Sequence, residues 1–165
     1  MTLRSEYVID DAGWDKQGRQ AAVLTTLAAV AHAVTKAETD IPWHKHAEWP
    51  PEARAAAVLL RDRFISHRKQ DEDYLQTGVQ RVDEPARQAF TTFAAFAYDC
   101  TLWSDEGELA SVNDEGDSLV IFLTPDEADE LRATLGHDRV VSAEEWRDRH
   151  PSAFTRLLRR FRDRG

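Results

Sequence analysis

TLWSDEGELASVNDEGDSLVIFLT, residues 101–124, predicts three short strands joined by two tight turns. The strands are expected at residues 101–104, 109–112 and 118–124, where the side-chain period changes to two. The turns at 104–108 and 113–117 nearly repeat each other, and each contains a Gly where a tight hairpin needs a positive φ. Residues 119–123 are apolar without alternation, which is typical of a strand covered on both faces. We therefore expect an antiparallel meander of three or four strands with residues 118–124 in its interior.

The exit from the third strand predicts a helix. Thr124 offers an N-cap, Pro125 suits the first helical position, and Glu127 completes a capping box, so this helix should reach Leu135 and end at Gly136. A brief strand at 139–141 and a short helix carrying Trp146 are expected next. A last helix is expected from Pro151, with an apolar stripe and an arginine face. The stripe consists of Phe154, Leu157, Leu158 and Phe161.

The first half of the chain reads as mainly helical. Apolar spacing predicts helices at residues 19–36, 51–69 and 84–98, preceded by a short edge strand at 6–10. We therefore predict a single α+β domain over residues 1–165. Three N-terminal helices make up a helical half over about 1–99, and the meander with two or three C-terminal helices makes up about 100–165.

Composition narrows the class of protein. The chain has 165 residues, 42% hydrophobic and 31% charged, as in a soluble globular domain, and its apolar runs are too short to span a membrane. One cysteine, Cys100, allows no internal disulfide, and the Met1 end carries no apolar secretion segment, so we expect a cytoplasmic protein. The net charge of −9 argues against nucleic acid as the main partner.

Charge is unevenly distributed along the chain. Residues 99–130 contain eleven acids and no Lys or Arg, whereas residues 147–164 contain seven Arg and two Asp. Two acidic turns and a helix N-terminus would explain the acids locally, and internal pairing with the Arg-rich end would cancel them. The alternative is a binding module for a basic protein, such as an inhibitor, antitoxin or immunity factor. Its candidate partner-binding acids are Asp105, Glu106, Glu108, Asp114, Glu115 and Asp117.

The proline-bounded loop at 42–51 supplies further candidates. Trp43 and Trp49 are assigned to no core by periodicity, so they either bind the partner or seal the edge of the core. His44 and His46 could both reach one divalent metal, with His67, Asp71 or Asp73 supplying a third ligand. A metal-dependent enzyme or sensor is therefore the second hypothesis, although exposed histidines at this spacing are commonly only solvated.

Other catalytic patterns are missing from the sequence. It contains no glycine-rich phosphate loop, no Gly-x-Ser-x-Gly turn and no paired cysteine motif, so no catalytic residue and no cofactor is predicted. The acidic turns lack the spacing of the helical calcium loop. A third hypothesis is an accessory subunit of a larger assembly. The sequence leaves the oligomeric state open.

Overall fold

Strands and helices are interspersed along the described chain. The computed structural model describes residues 3–65 and 73–150. Its strands are β1 (Ser5–Ile9), β2 (Lys36–Ile41), β3 (Leu75–Gln76), β4 (Gln80–Arg81), β5 (Asp99–Trp103), β6 (Glu108–Asn113), β7 (Ser118–Leu123) and β8 (Val140–Ser142). Its α-helices are α1 (Lys16–Val30), α2 (Pro51–Phe64), α3 (Glu84–Phe93), α4 (Pro125–Leu135) and α5 (Ala143–Arg149). Short 3-10 segments are Ala31–Ala33, Trp43–Glu48, Ala94–Phe96 and Asp114–Gly116.

All the strands join one antiparallel sheet. Their order is β3-β2-β5-β6-β7-β1-β8, and β4 pairs with β2 beside β3. The α+β class and the β5-β6-β7 meander are therefore confirmed, and β7 lies in the interior between β6 and β1. The sheet is larger than expected, because strands from the first half of the chain extend it on both sides.

The expected order of three helices before the sheet is wrong. β1 lies inside the sheet between β7 and β8, so it is not an edge strand, and β2 separates α1 from α2. The helix expected to reach residue 36 ends at Val30, and α3 ends at Phe93. The physical reason is that β2 alternates charged residues with the small or polar inward residues Ala37 and Thr39, which left no clear apolar period.

The main core lies between one face of the sheet and the helices. Leu27 of α1 and Phe90 and Phe93 of α3 are fully buried there. The sheet contributes inward side chains from four neighbouring strands. These are Ala37 and Ile41 of β2, Cys100 and Leu102 of β5, Ala110 and Val112 of β6, and Leu119, Ile121 and Leu123 of β7.

Local helix signals are confirmed. The Thr124 hydroxyl accepts from the Glu127 amide while the Glu127 carboxylate accepts from the Thr124 amide, which forms the expected capping box. Gly136, with φ of 105°, follows α4, and the Ser142 hydroxyl caps α5. The expected helix from Pro151 and the end of the helix expected to reach residue 69 lie outside the described residues.

Replacing the cap tests this part of the account. Thr124→Ala should lower the free energy of unfolding by about 1 kcal/mol, because the Glu127 amide loses its acceptor. Urea unfolding at neutral pH measures the loss. Thr134→Ala, within the exposed part of the same helix, is the matched control and should be neutral or slightly stabilising. Equal losses in both variants would contradict a specific role for the cap.

Candidate functional site

The face of the sheet opposite the main core carries several charged side chains that form no ion pair within residues 3–65 and 73–150. Because side chains alternate along each strand, residues that do not face the core share this second face, which we call the open face. Its members are Glu6 and Val8 of β1, Lys36, Glu38 and Asp40 of β2, Asp99, Thr101 and Trp103 of β5, Glu108, Ser111 and Asn113 of β6, and Ser118, Val120 and Phe122 of β7. These side chains are half-buried or exposed except for Thr101, and Val141 of β8, the register partner of Val8, is also buried on this face.

The sheet register brings three acids of the open face together. Asp40 of β2 lies directly opposite Asp99 of β5, and Glu38 precedes Asp40 by two residues on the same side. Like charges directly opposite on neighbouring strands destabilise a sheet. The pKa values of Glu38 and Asp99 are both raised, first by burial and then by the neighbouring carboxylates. At neutral pH this cluster is therefore a site of stored repulsion.

Nearby groups relieve little of this repulsion. Within residues 3–65 and 73–150, no Lys or Arg forms an ion pair with Glu38, Asp40 or Asp99. The Tyr74 hydroxyl donates a hydrogen bond to Asp40, and the Thr101 hydroxyl donates to Asp99 at 3.5 Å. Neither donor carries a positive charge. The cluster can therefore accept further hydrogen bonds from a cation.

The open face also has an apolar part. Val8 and Val120 are register partners on β1 and β7, and Phe122 follows on β7. Each of the three is half-buried, so some of its surface reaches solvent. Glu6 lies opposite Phe122, and burial followed by Asp99 and Glu6 raises the pKa of Glu108. Apolar and acidic side chains therefore share one surface.

The predicted acids of the two hairpin turns differ in their surroundings. Glu115, whose side chain is 17% exposed, contacts the Lys16 ammonium at 2.9 Å and the Lys45 ammonium at 2.7 Å. Asp117 contacts Arg19 at 3.1 Å. Burial raises the pKa of Glu115, but the hydrogen bonds from Lys45 and Lys16 outweigh it, so that its net pKa is lowered. The second turn is thus largely neutralised within the chain.

The first turn and the remaining acids are more exposed. Asp105 and Glu106 are exposed between β5 and β6, and Asp105 accepts a hydrogen bond from the Thr35 hydroxyl at 3.1 Å. Glu108 is exposed on the open face. Asp114 is exposed in the second turn, where its φ is 50°. Of the six predicted acids, Glu108 is the one that shares a surface with Glu38 and Asp99.

The two predicted tryptophans differ in burial. Trp49 is 5% exposed and packs edge-on against Phe93, with ring centroids 4.8 Å apart, so it belongs to the core. Trp43 is half-buried between the stacked His46 ring and the Arg61 guanidinium, which lies 4.5 Å from the indole centroid. Of these two tryptophans, Trp43 is therefore the one that offers an indole surface near solvent.

The two histidines of the predicted metal site have separate partners. His44 Nδ1 lies 3.0 Å from the Asp73 backbone oxygen, whereas His46 Nδ1 lies 2.9 Å from the Trp43 backbone oxygen. In the part of the chain that the structure describes, no group of three or more His, Cys, Asp or Glu is placed to hold a metal ion. The suggested ligands His67 and Asp71 lie outside the described residues.

Glu38 and Asp40 of β2 were not among the candidate residues predicted from the sequence. Lys36-Ala-Glu-Thr-Asp-Ile41 alternates strictly between charged and uncharged residues, which is the signal that could have identified a half-buried strand. The proximity of Asp40 to Asp99 had no local signal, because it depends on pairing between strands far apart in the chain.

Comparison with known proteins supplies no function. The chain matches no protein-family model, no curated protein and no solved structure. Among the described helices, none is long and apolar enough to cross a membrane. The functional argument therefore depends on the chemistry of the surfaces described above.

The second turn contains a paired acid and the first turn exposed ones, and measurements of unfolding free energy can test this difference. Glu115→Gln should lower the free energy of unfolding by about 1 kcal/mol at pH 7, because it removes the charge that pairs with Lys16 and Lys45. The folded pKa of Glu115 is lowered, so its contribution is present above the unfolded pKa and disappears as pH falls through the folded value. Urea unfolding between neutral and acidic pH measures both effects.

The matched control is Glu106→Gln. It makes the same chemical change in the first turn, where the side chain is exposed, and should leave stability nearly unchanged at every pH. If Glu115→Gln were equally silent, its two ion pairs would contribute nothing measurable to folding.

Proposed function

We propose that the protein is a small acidic binding module whose open face takes up a basic segment of another protein. The observation that supports this most strongly is the cluster of Glu38, Asp40 and Asp99, three carboxylates brought together without a cationic partner in residues 3–65 and 73–150. An inhibitor, an antitoxin or an immunity factor that covers a basic site fits this role.

Binding of a cation would offset the repulsion among the carboxylates of Glu38, Asp40 and Asp99. Burial raises the pKa values of Glu38 and Asp99 first, and repulsion from the neighbouring carboxylates raises them further. A guanidinium forms paired, charge-assisted hydrogen bonds with a carboxylate, and such bonds are stronger than neutral ones. A basic segment would therefore gain attraction and remove repulsion at the same time.

The apolar part of the open face would add contact area. Val120 and Phe122 lie on β7, the second strand from β5, and Val8 lies on β1, the third. A segment crossing the strands would therefore meet apolar and acidic side chains in turn. Acidic surfaces also speed the encounter with a positive partner at low ionic strength. The preferred partner is therefore a segment that combines Arg or Lys with apolar residues.

The first turn is the alternative binding surface for a basic partner on this protein. Asp105 and Glu106 are exposed, but they lie at a hairpin tip away from Asp40 and Asp99, at the other end of β5. Glu115 and Asp117 already have basic partners within the chain. We therefore assign the main contribution to the open face and a smaller one to the first turn.

A pair of isosteric variants separates these surfaces. Glu38→Gln with Asp99→Asn should weaken binding of a fluorescein-labelled oligo-arginine peptide by roughly tenfold, because each removes one acceptor charge. Fluorescence anisotropy at low salt measures the affinity. A repeat at about 0.5 M salt should weaken the wild type strongly, because screening then acts within a few ångströms.

The control carries the same change of net charge. Asp105→Asn with Glu106→Gln should weaken binding by about threefold or less, since these acids are exposed and far from the cluster. Equal losses in the two double variants would show attraction by net charge alone. No binding by the wild type at low salt would overturn the proposal.

A further inference from the structure

We propose that a cleft beside the start of α1 binds a small organic acid, whose carboxylate shares Lys16 and Lys45 with Glu115 and whose apolar body lies against the walls. The cleft has a volume of about 380 Å³ and lies between α1, the Trp43–Glu48 segment and the second turn. Its apolar walls include Trp49, Pro50 and Phe96. None of these residues belongs to the open face, so this site is separate from the one proposed above.

The charges around Glu115 leave one ammonium group in excess. Lys16 Nζ lies 2.9 Å from Glu115 Oε2, and Lys45 Nζ lies 2.7 Å from Glu115 Oε1. In every other ion pair between residues of 3–65 and 73–150, the carboxylate contacts a single Lys or Arg. Two positive charges against one negative charge attract a further anion.

Both ammonium groups can take part in binding. An ammonium has three N–H donors, and each of these two gives one to Glu115. The side chain of Lys16 is 62% exposed and that of Lys45 is 29% exposed, so both reach solvent. The hydrogen bond with Glu115 is the main cause that raises the pKa of Lys45, which keeps its ammonium charged at neutral pH.

The backbone of the second turn holds the Glu115 carboxylate in place. Asp114 and Glu115 have φ values of 50° and 58°, which are uncommon for residues other than Gly. The Asp114 amide donates to the Tyr98 oxygen at 2.9 Å, and the Glu115 amide donates to the Ala97 oxygen at 2.8 Å. Strained backbone of this kind persists where surrounding contacts fix it, and it is concentrated at functional sites. The turn therefore fixes one carboxylate between two cations.

The walls of the cleft determine what kind of anion fits. Phe96 is half-buried and Pro50 is exposed, so both present apolar surface beside the ammonium groups. Glu48 also lines the cleft, but it is exposed, where solvent and salt screen its repulsion of an anion. Sites for small molecules have volumes of about 300 to 1,000 Å³ and combine apolar walls with a few polar groups. A carboxylate attached to a short apolar body matches this cleft.

Titration with 3-phenylpropionate, followed by amide NMR of the isotope-labelled full chain, tests the site. Signals of Lys45, Phe96 and Glu115 should shift together and saturate, whereas those of Glu38 and Val120 on the open face should not move. 3-Phenylpropionamide has the same body without the charge, and acetate has the charge without the body. Each should bind about tenfold more weakly or worse. No saturable shift in the cleft, or equal binding of the neutral amide, would overturn the inference.

Replacement of the lysines tests their contribution to binding. Lys45→Gln should weaken binding of 3-phenylpropionate by about tenfold, because it removes the more buried ammonium. Lys16→Gln should weaken it by about threefold, since Lys16 is more exposed, and it serves as the second variant if Lys45→Gln does not fold. The matched control is Lys36→Gln, at the end of β2 that pairs with Trp103, and it should change the affinity by less than about twofold.

Glu115→Gln gives a result that a purely structural role does not predict. It leaves both ammonium groups without their counter-charge, so 3-phenylpropionate should bind about fivefold more tightly although the variant is less stable. Affinity equal to or below that of the wild type would overturn the inference. An equal loss of affinity in Lys36→Gln and Lys45→Gln would also overturn it, because attraction would then depend on net charge alone.

Discussion

The main core of this protein lies against one face of its sheet, and that constraint determines which side chains the strands place on the other face. Ala37, Thr39 and Ile41 of β2 must face the core, so Lys36, Glu38 and Asp40 are placed on the open face by the two-residue period of a strand. The same pairing of β2 with β5 aligns core residues and sets Asp40 opposite Asp99. The acidic cluster is thus a direct consequence of burying β2, and its repulsion is a cost that a cation can offset.

Acids in different parts of the fold therefore have different surroundings. Glu115 and Asp117 connect the second turn to Lys16 and Arg19 of α1 and to Lys45, which follows β2, so their charge stabilises the fold. Glu38 and Asp99 have no such partner among the described residues, and their pKa values move in the opposite direction from that of Glu115. The presence or absence of these ion pairs separates an acid that stabilises the fold from one that we propose for a partner. Net charge alone does not make this distinction.

Sequence patterns correctly predicted the features that depend on residues close together in the chain. The β5-β6-β7 meander and the capping box of α4 follow from local turn residues and were confirmed. β2 was missed because its inward residues include Ala37 and Thr39, which give little apolar contrast. The cluster at Asp40 and Asp99 requires a register between strands separated by α2 and α3, which no local pattern specifies. Trp49 likewise owes its burial to Phe93, a contact made across the helical layer.

Mapping the site of a basic ligand by NMR tests the central claim most directly. Oligo-arginine added to the full-length, isotope-labelled protein at low salt should shift the amide signals of Glu38, Asp99 and Val120 most strongly. Signals of α4, represented by Leu131, should stay unchanged because that helix packs on the opposite face. Shifts centred on Asp105 and Glu106, or spread evenly over all acidic residues, would contradict the assignment of binding to the open face.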